Sequence, residues 1–388
     1  MDATTQTGQT GLPLQGVRVI EFTHMVMGPT CGMILADLGA EVIKIEPPGG
    51  DKTRNLPGLG IGFFRTFNRN KKSVVLDLNT AQGRATALEL IGQCDVMLEN
   101  FRPGLMASMA LDHATLSKTF PRLIYVSHKG FLPGPYEKRL ALDEVVQMMG
   151  GLSYMTGPPG RPLRAGTSVN DIMGGMFGAI GVLAALRERE RTGRGQEVQS
   201  ALFENCVFLA AQHMQQYAMT GEPPAPMPAR VSAWSVYDVF KLAAGEQLFI
   251  GAVSDKQFQT LCQVLERPDL AAEPQLQTNA QRVAVRPALL ERLGEILKDH
   301  EIDALSAKLE AAGIPYARIV RPEQLLDDPH LRASGGLVPM HTDDGGTTEV
   351  VLLPLLMGGR RPAVRQPLAR VGEHTQEVLA RLATPPAT

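Results

Sequence analysis

The sequence predicts an α/β protein: a large Rossmann-like domain with a parallel sheet, joined to a smaller α+β domain. Two observations carry this prediction. From Leu12 to about residue 131, short β-branched runs alternate with stretches of helical period, and strand, helix, strand at that spacing builds a parallel sheet with crossover helices. Further on, TGEPPAPMPARVSA at 220–233 is dense in proline and polar residues, a linker by composition, and the pattern after it is different.

The repeating units are VRVIEF (17–22), a helix from about Pro29 to Leu38, EVIKIE (41–46), KSVVLDL (72–78), a helix over 80–93, DVMLENF (95–101) and RLIYVSHKGF (122–131). Ligands of such a sheet gather at the carboxyl ends of its strands. The loop PPGGDKTRNLPGLGIG (47–62) is flexible by composition, and serves either as a mobile flap or as plain surface. SVNDIMGGMFGAIGVLAAL (168–186) reads as a buried helix, and QEVQSALFENCVFLAAQHMQQYAM (196–219) as a short strand leading into a long amphipathic helix. The second region, 234–320, opens with two strands joined at Ala244-Gly245-Glu246 and continues with helices near 255–266, 285–298 and 301–312. The segment from 321 to 388 is proline-rich extended chain ending in one helix from near Gly372. A lone helix of that length is unstable in water, so it belongs with residues 1–219 in the large domain.

Composition narrows the function. At 388 residues and a formal net charge of −2, the chain offers no electrostatic case for nucleic acid or an anionic membrane as its main partner. Cys31, Cys94, Cys206 and Cys262 are far apart among apolar neighbours, which suits buried free thiols in a reducing compartment. The opening MDATTQTGQTGLPLQG lacks the charged and apolar regions of a secretory signal, and the protein reads as cytoplasmic.

The first crossover holds MVMGPTCG where a dinucleotide fold carries G-x-G-x-x-G, which argues against a nicotinamide enzyme. No metal-ligand spacing, nucleophile elbow or phosphate loop of the P-loop type is present. His24 and His128 end strands, and either line a site or are held by backbone. Arg65, Arg69, Lys71 and Lys72 cluster before one strand, and Asn100 and Arg102 follow another; such groups suit phosphates or make a solvated charged face. Asp171 heads its apolar helix, where Asp is a good N-cap. Behind it Gly174, Gly175, Gly178 and Gly181 each forgo about 1 kcal/mol of helix propensity, so something approaches closely. A carboxylate there, kept ionised by the helix dipole, could also serve as a nucleophile toward an activated acyl group.

Together LQGVRVIEFTHMVMGPTCGMILADLGAEVIKIEPPGGD, FNRNKKSVVLDL, VMLENFRPG, GAIGVLAALRERERTGRGQEVQSALFE and VGEHTQEVL resemble the class III CoA-transferases, the group of formyl-CoA, carnitine and bile-acid CoA-transferases. The resemblance runs from about Leu12 to Leu382. It implies a Rossmann-like large domain with its sheet built from both chain ends, a small domain, and a homodimer of interlocked subunits. It implies a nucleophile at Asp171, and CoA contacts at Val26, Met27, Leu76 to Asn79, Asn100, Phe101, Arg102 and Glu144. CoA thioesters and small carboxylic acids, with succinyl-CoA as one donor, are then substrates, and no tightly bound cofactor or metal is required. Val26, where formyl-CoA transferases carry glutamine, and the lack of their glycine-run loop between 225 and 255 argue against formate and oxalate. The alternatives are an α-methylacyl-CoA racemase, whose histidine is missing from Ala141-Leu142-Asp143, and a non-catalytic acyl-CoA binding protein.

Overall fold

The computed structural model describes residues 11–230 and 232–383; the polar opening up to Thr10 lies outside them. Two compact units emerge, one of residues up to Pro228 together with those from Pro329 onward, the other Ala229–Asp328.

The large unit is built on a six-stranded sheet in the order β3-β2-β1-β4-β5-β6. Its strands are β1 (Arg18–Phe22), β2 (Glu41–Glu46), β3 (Lys71–Val75), β4 (Val96–Glu99), β5 (Ile124–Lys129) and β6 (Glu197–Ala201). All neighbours pair in parallel, with Ile20 of β1 opposite both Ile43 of β2 and Met97 of β4. The central strands are covered on both faces, which is why they read as continuous apolar runs rather than alternating ones. The order reverses between β1 and β4, so the loops leaving these two strands diverge and open a crevice at their carboxyl ends. Helix α1 (Met27–Asp37) follows β1, and α2 (Ala81–Ile91) connects β3 to β4.

The sheet is not built from both ends of the chain: all six strands fall within residues 18–201. The returning chain supplies a helix, Thr375–Ala380, which lies along edge strand β3. There His374 donates its N–H to Ser73 O (3.0 Å) and Thr375 Oγ1 accepts from Val75 N (3.0 Å), while Val378 joins the core beside Ile43 and Val74. These bonds satisfy outward-facing groups of the edge strand, so a seventh strand is not needed. The helix starts at Thr375, after the chain turns at Gly372 (φ +71°). The preceding segment also holds a hairpin, Leu337–His341 against Thr347–Val351, that reading it as extended chain overlooks.

Most of the basic run is buried in ion pairs, and only Arg65 stays at the surface. Arg69 is 2% exposed and pairs with Asp37 at 2.6 Å, and Lys71 is buried against Glu21 at 2.9 Å. Lys72 reaches Glu41 and Glu377, and Arg65 reaches Asp344. The expected loop 47–62 is likewise anchored: Arg54 holds Glu46 (2.7 Å), Asp343 (2.7 Å) and Ala369 O (3.0 Å) at once. Asp51 caps a 3-10 turn over Lys52–Asn55.

In the small unit Val236–Lys241 and Gln247–Ala252 pair antiparallel, and a third strand, Tyr316–Arg318, joins the second. Helices Asp255–Val264, Arg286–Leu297 and Ile302–Ala311 bury Phe258, Leu261, Leu289, Leu293 and Leu305 into one core with that sheet.

Candidate active site at the switch point

The segments leaving β1 and β4 are tied to each other by a reciprocal clamp. His24, just past β1, donates its N–H to Asn100 Oδ1 (3.0 Å), and Asn100 Nδ2, just past β4, donates to His24 O (2.8 Å). The next residue, Met25, takes a left-handed conformation (φ +63°), which a non-glycine residue adopts only when its surroundings impose it. Its N–H is fixed by Thr53 Oγ1 at 3.0 Å.

Two cavities, each of about 490 Å³, adjoin here and share His24, Met25 and Phe101 in their walls. The first runs over Met27, Asn100 and Arg102 to Asp171; the second lies over the ends of β2 and β3 and takes in Leu76 and Asn79. Of the residues expected to contact CoA, two lie elsewhere. Val26 is 1% exposed in an apolar cluster with Met33, Phe67 and Leu353. Glu144 is exposed and pairs with Arg164 at 3.3 Å, while its neighbour Asp143 faces the cavity.

Asp171 belongs to α4 (Val169–Thr192), which follows α3 (Asp143–Met149) in this numbering and precedes α5 (Leu202–Thr220). The glycines of α4 allow the close approach their cost suggests. A Cβ on Gly175 would lie 2.6 Å from Met27 O of α1, and one on Gly178 would lie 2.5 Å from His128 Nε2. Asp171 is not the N-cap but the third residue of the helix; Ser168 holds the cap position and makes no side-chain capping bond. The first-turn donors go instead to Asp143, whose Oδ2 accepts from Asn170 N (2.7 Å) and Asp171 N (3.1 Å).

The dipole therefore does not keep Asp171 strongly acidic. Its pKa is raised to about 7, chiefly because burial withdraws it from water and secondly because the Asp143 charge is near, with Arg164 opposing. Among the described residues no side chain or backbone group hydrogen-bonds to its carboxylate, which faces the cavity. A carboxylate so placed, half ionised near neutrality and unencumbered, is suited to attack a bound acyl carbon.

His128 offers no comparable chemistry. Its Nδ1 lies 3.2 Å from Glu99 O, its Nε2 abuts Gly178 without a partner, and burial lowers its pKa to about 4. Sequence reasoning did not find Asp143. Its local signal is only that of an acidic residue opening an amphipathic run, and what it holds lies 27 and 28 residues away.

A parallel sheet with a crevice at its switch point, into which a carboxylate faces, defines an α/β protein with a ligand site at the carboxyl ends of its strands. The chain belongs to CoA-transferase family III, whose profile matches residues 14–375. It is 34% identical over 386 residues to a succinate–glutarate CoA-transferase of Agrobacterium fabrum, covering 96% of each chain. It is 36% identical over 334 residues to an acetyl-CoA:oxalate CoA-transferase of Acetobacter aceti, covering 84% of this chain and 85% of that one. The crystal structure of a CAIB/BAIF family protein from Brucella suis superposes with a TM-score of 0.87 at 32% identity, over 96% of this chain and 100% of the other. The protein is thus a CoA-transferase acting on acyl-CoA and carboxylate substrates, not a binding protein without activity.

Proposed function

We propose that the protein moves CoA from a donor thioester, succinyl-CoA or a related dicarboxylyl-CoA, to a second carboxylic acid through covalent intermediates on Asp171. The observation that carries this reading is the Asp171 carboxylate itself, facing the cavity and without a hydrogen-bonding partner among the described residues. The carboxylate oxygen attacks the thioester carbonyl, the C–S bond breaks, and CoA leaves as thiolate, with a mixed anhydride of Asp171 and the donor acid left behind. The thiolate then attacks the aspartyl carbonyl, expelling the donor acid and leaving an aspartyl-CoA thioester. The acceptor carboxylate repeats the sequence in reverse and restores free Asp171. Succinyl donors fit the named Agrobacterium relative, but relatives of similar identity handle different acids, so likeness alone does not fix the acceptor.

Mass spectrometry of the intact protein with a panel of acyl-CoAs tests the covalent step. Product that forms only when a free acid is added supports transfer; inversion of an acyl-CoA without any acid would establish an epimerase in its place.

Arg102 is exposed on the cavity wall, and among the described residues its guanidinium has no salt-bridge partner. We assign it to the CoA phosphates, which lie remote from the reacting carbonyl and contribute binding that is uniform between ground and transition states. Arg102→Ala is expected to raise the acyl-CoA KM about tenfold with kcat within about twofold. An unchanged KM would make it a surface charge.

We further propose a homodimer of interlocked subunits. Helix α4 exposes Met176, Ile180 and Leu183 along one face, and α5 exposes Phe208, Met214 and Tyr217, an apolar surface that a monomer has no reason to keep. Interlocked chains separate only if one unfolds. The dimer is expected to survive size-exclusion chromatography at nanomolar concentration. Two differently tagged preparations mixed under native conditions should give no heterodimer, and heterodimers within hours would refute interlocking. The free thiols fit a reducing compartment, and we place the reaction in the cytoplasm.

A further inference from the structure

A carboxylate at the third position of a helix is placed to fold back onto the backbone N–H groups of its own N-terminus. Asp171 occupies that position and does not. Three of the N–H groups around it are already used: Val169 N bonds Thr167 O at 2.9 Å, and Asn170 N and Asp171 N both bond Asp143 Oδ2. Asp143 is in turn locked. Its Oδ1 accepts from Gln147 Nε2 at 2.5 Å, and Gln147, fully buried, accepts from Ala165 N at 2.8 Å. The chain Ala165–Gln147–Asp143 thus ties α3 and the segment before α4 to the turn that carries the nucleophile.

We propose that Asp143 is a positioning residue for Asp171: by capping α4 from another helix it occupies two first-turn donors, Asn170 N and Asp171 N, that would otherwise draw the Asp171 carboxylate back onto its own backbone, and so keeps that carboxylate turned to the cavity. This rests on Asp171 being the nucleophile only for its meaning in catalysis.

The arrangement has an electrostatic consequence. Two carboxylates share one helix end, and the negative charge of Asp143 adds to burial in holding Asp171 in its protonated form. The opposing charge, Arg164, is itself engaged by Glu144. Across the cavity stand His24, Arg102, Arg139 and Lys129, the last paired with Glu99 at 2.6 Å, together with uncharged His128. A carboxylate that is harder to ionise is the more basic nucleophile once ionised, and freeing it from hydrogen bonds preserves that basicity.

The test follows the Asp171 carboxyl directly. Small diazo reagents esterify protonated carboxyl groups, and peptide mass spectrometry over a pH series gives the midpoint at Asp171 in the full chain without any turnover. Asp143→Asn retains an oxygen for the two N–H groups but loses the charge, and should lower the midpoint by about one pH unit. Asp143→Ala frees the donors for Asp171 and should lower it by about two units, with the rate of covalent labelling by an acyl-CoA at high pH down about a hundredfold and the acyl-CoA KM within about threefold. A midpoint in Asp143→Ala no lower than in Asp143→Asn, the variant that keeps the capping oxygen, would overturn the proposal. So would wild-type labelling rates in Asp143→Ala. If the wild type is never labelled by acyl-CoA, the nucleophile reading fails, while the diazo titration still decides the role of Asp143.

Discussion

Asp171→Ala and Asp171→Asn should each lower kcat for CoA transfer by at least about a thousandfold, roughly 4 kcal/mol of barrier. Acyl-CoA binding should survive, because in the proposed mechanism the carboxylate meets only the reacting carbonyl and the long remainder of the substrate is held elsewhere. Hydroxylamine should trap an adduct in the wild type and in neither variant. Transfer retained within about tenfold, roughly 1.4 kcal/mol, would rule out covalent catalysis at this residue. The pKa of about 7 adds a pH dependence. The covalent step needs the ionised form, so its rate should climb between about pH 6 and 8. Stability moves the other way: an acid whose folded pKa lies above its unfolded value imposes no penalty below the unfolded pKa, and its full penalty above the folded one. Asp171→Asn should therefore melt a few degrees above wild type at pH 8, by about 1–2 kcal/mol after allowance for its partial exposure, and show no such gain near pH 4.

Arg69→Ala is expected to be the most damaging substitution among the basic residues, and to damage the fold rather than the site. Arg69 gives Asp37 three contacts, through Nε at 3.2 and 3.1 Å and Nη2 at 2.6 Å, with both side chains nearly excluded from water. Its loss leaves Asp37 buried with only Asn70 Nδ2 (2.7 Å) as a side-chain donor. Stranding one partner of a buried pair costs about 3–5 kcal/mol, measurable as a fall in the denaturant midpoint. The acyl-CoA KM of the folded fraction should stay within about twofold. A raised KM with unaltered unfolding would return Arg69 to the phosphate ligands.

That pair also shows where sequence reasoning stops. The parallel strands were legible because burial on both faces leaves near-continuous apolar runs, and the crevice followed from their order. The close packing behind Asp171 was legible because four glycines there cost too much helix propensity to be idle. The run Arg65 to Lys72 was not, since its partners Asp37, Glu21, Glu377 and Asp344 lie from 32 to 305 residues away. Likewise the capping of α4 by Asp143 spans two helices, so the local pattern made Asp171 the cap. The hairpin at 337–351 was obscured by Pro339 inside its first strand, although Asp344-Gly345-Gly346 marks its turn.

The bonds between β3 and the helix Thr375–Ala380 link residues 300 positions apart, and this bears on how the protein is made. During synthesis the edge of β3 emerges from the ribosome long before the segment that covers it. At typical elongation rates that interval lasts about 15–60 s, during which Ser73 and Val75 present open hydrogen-bonding groups beside a hydrophobic sheet. The nascent chain is then a template for another strand, and this interval is where a chaperone would be expected to bind and where overexpression would be expected to divert chains into aggregates.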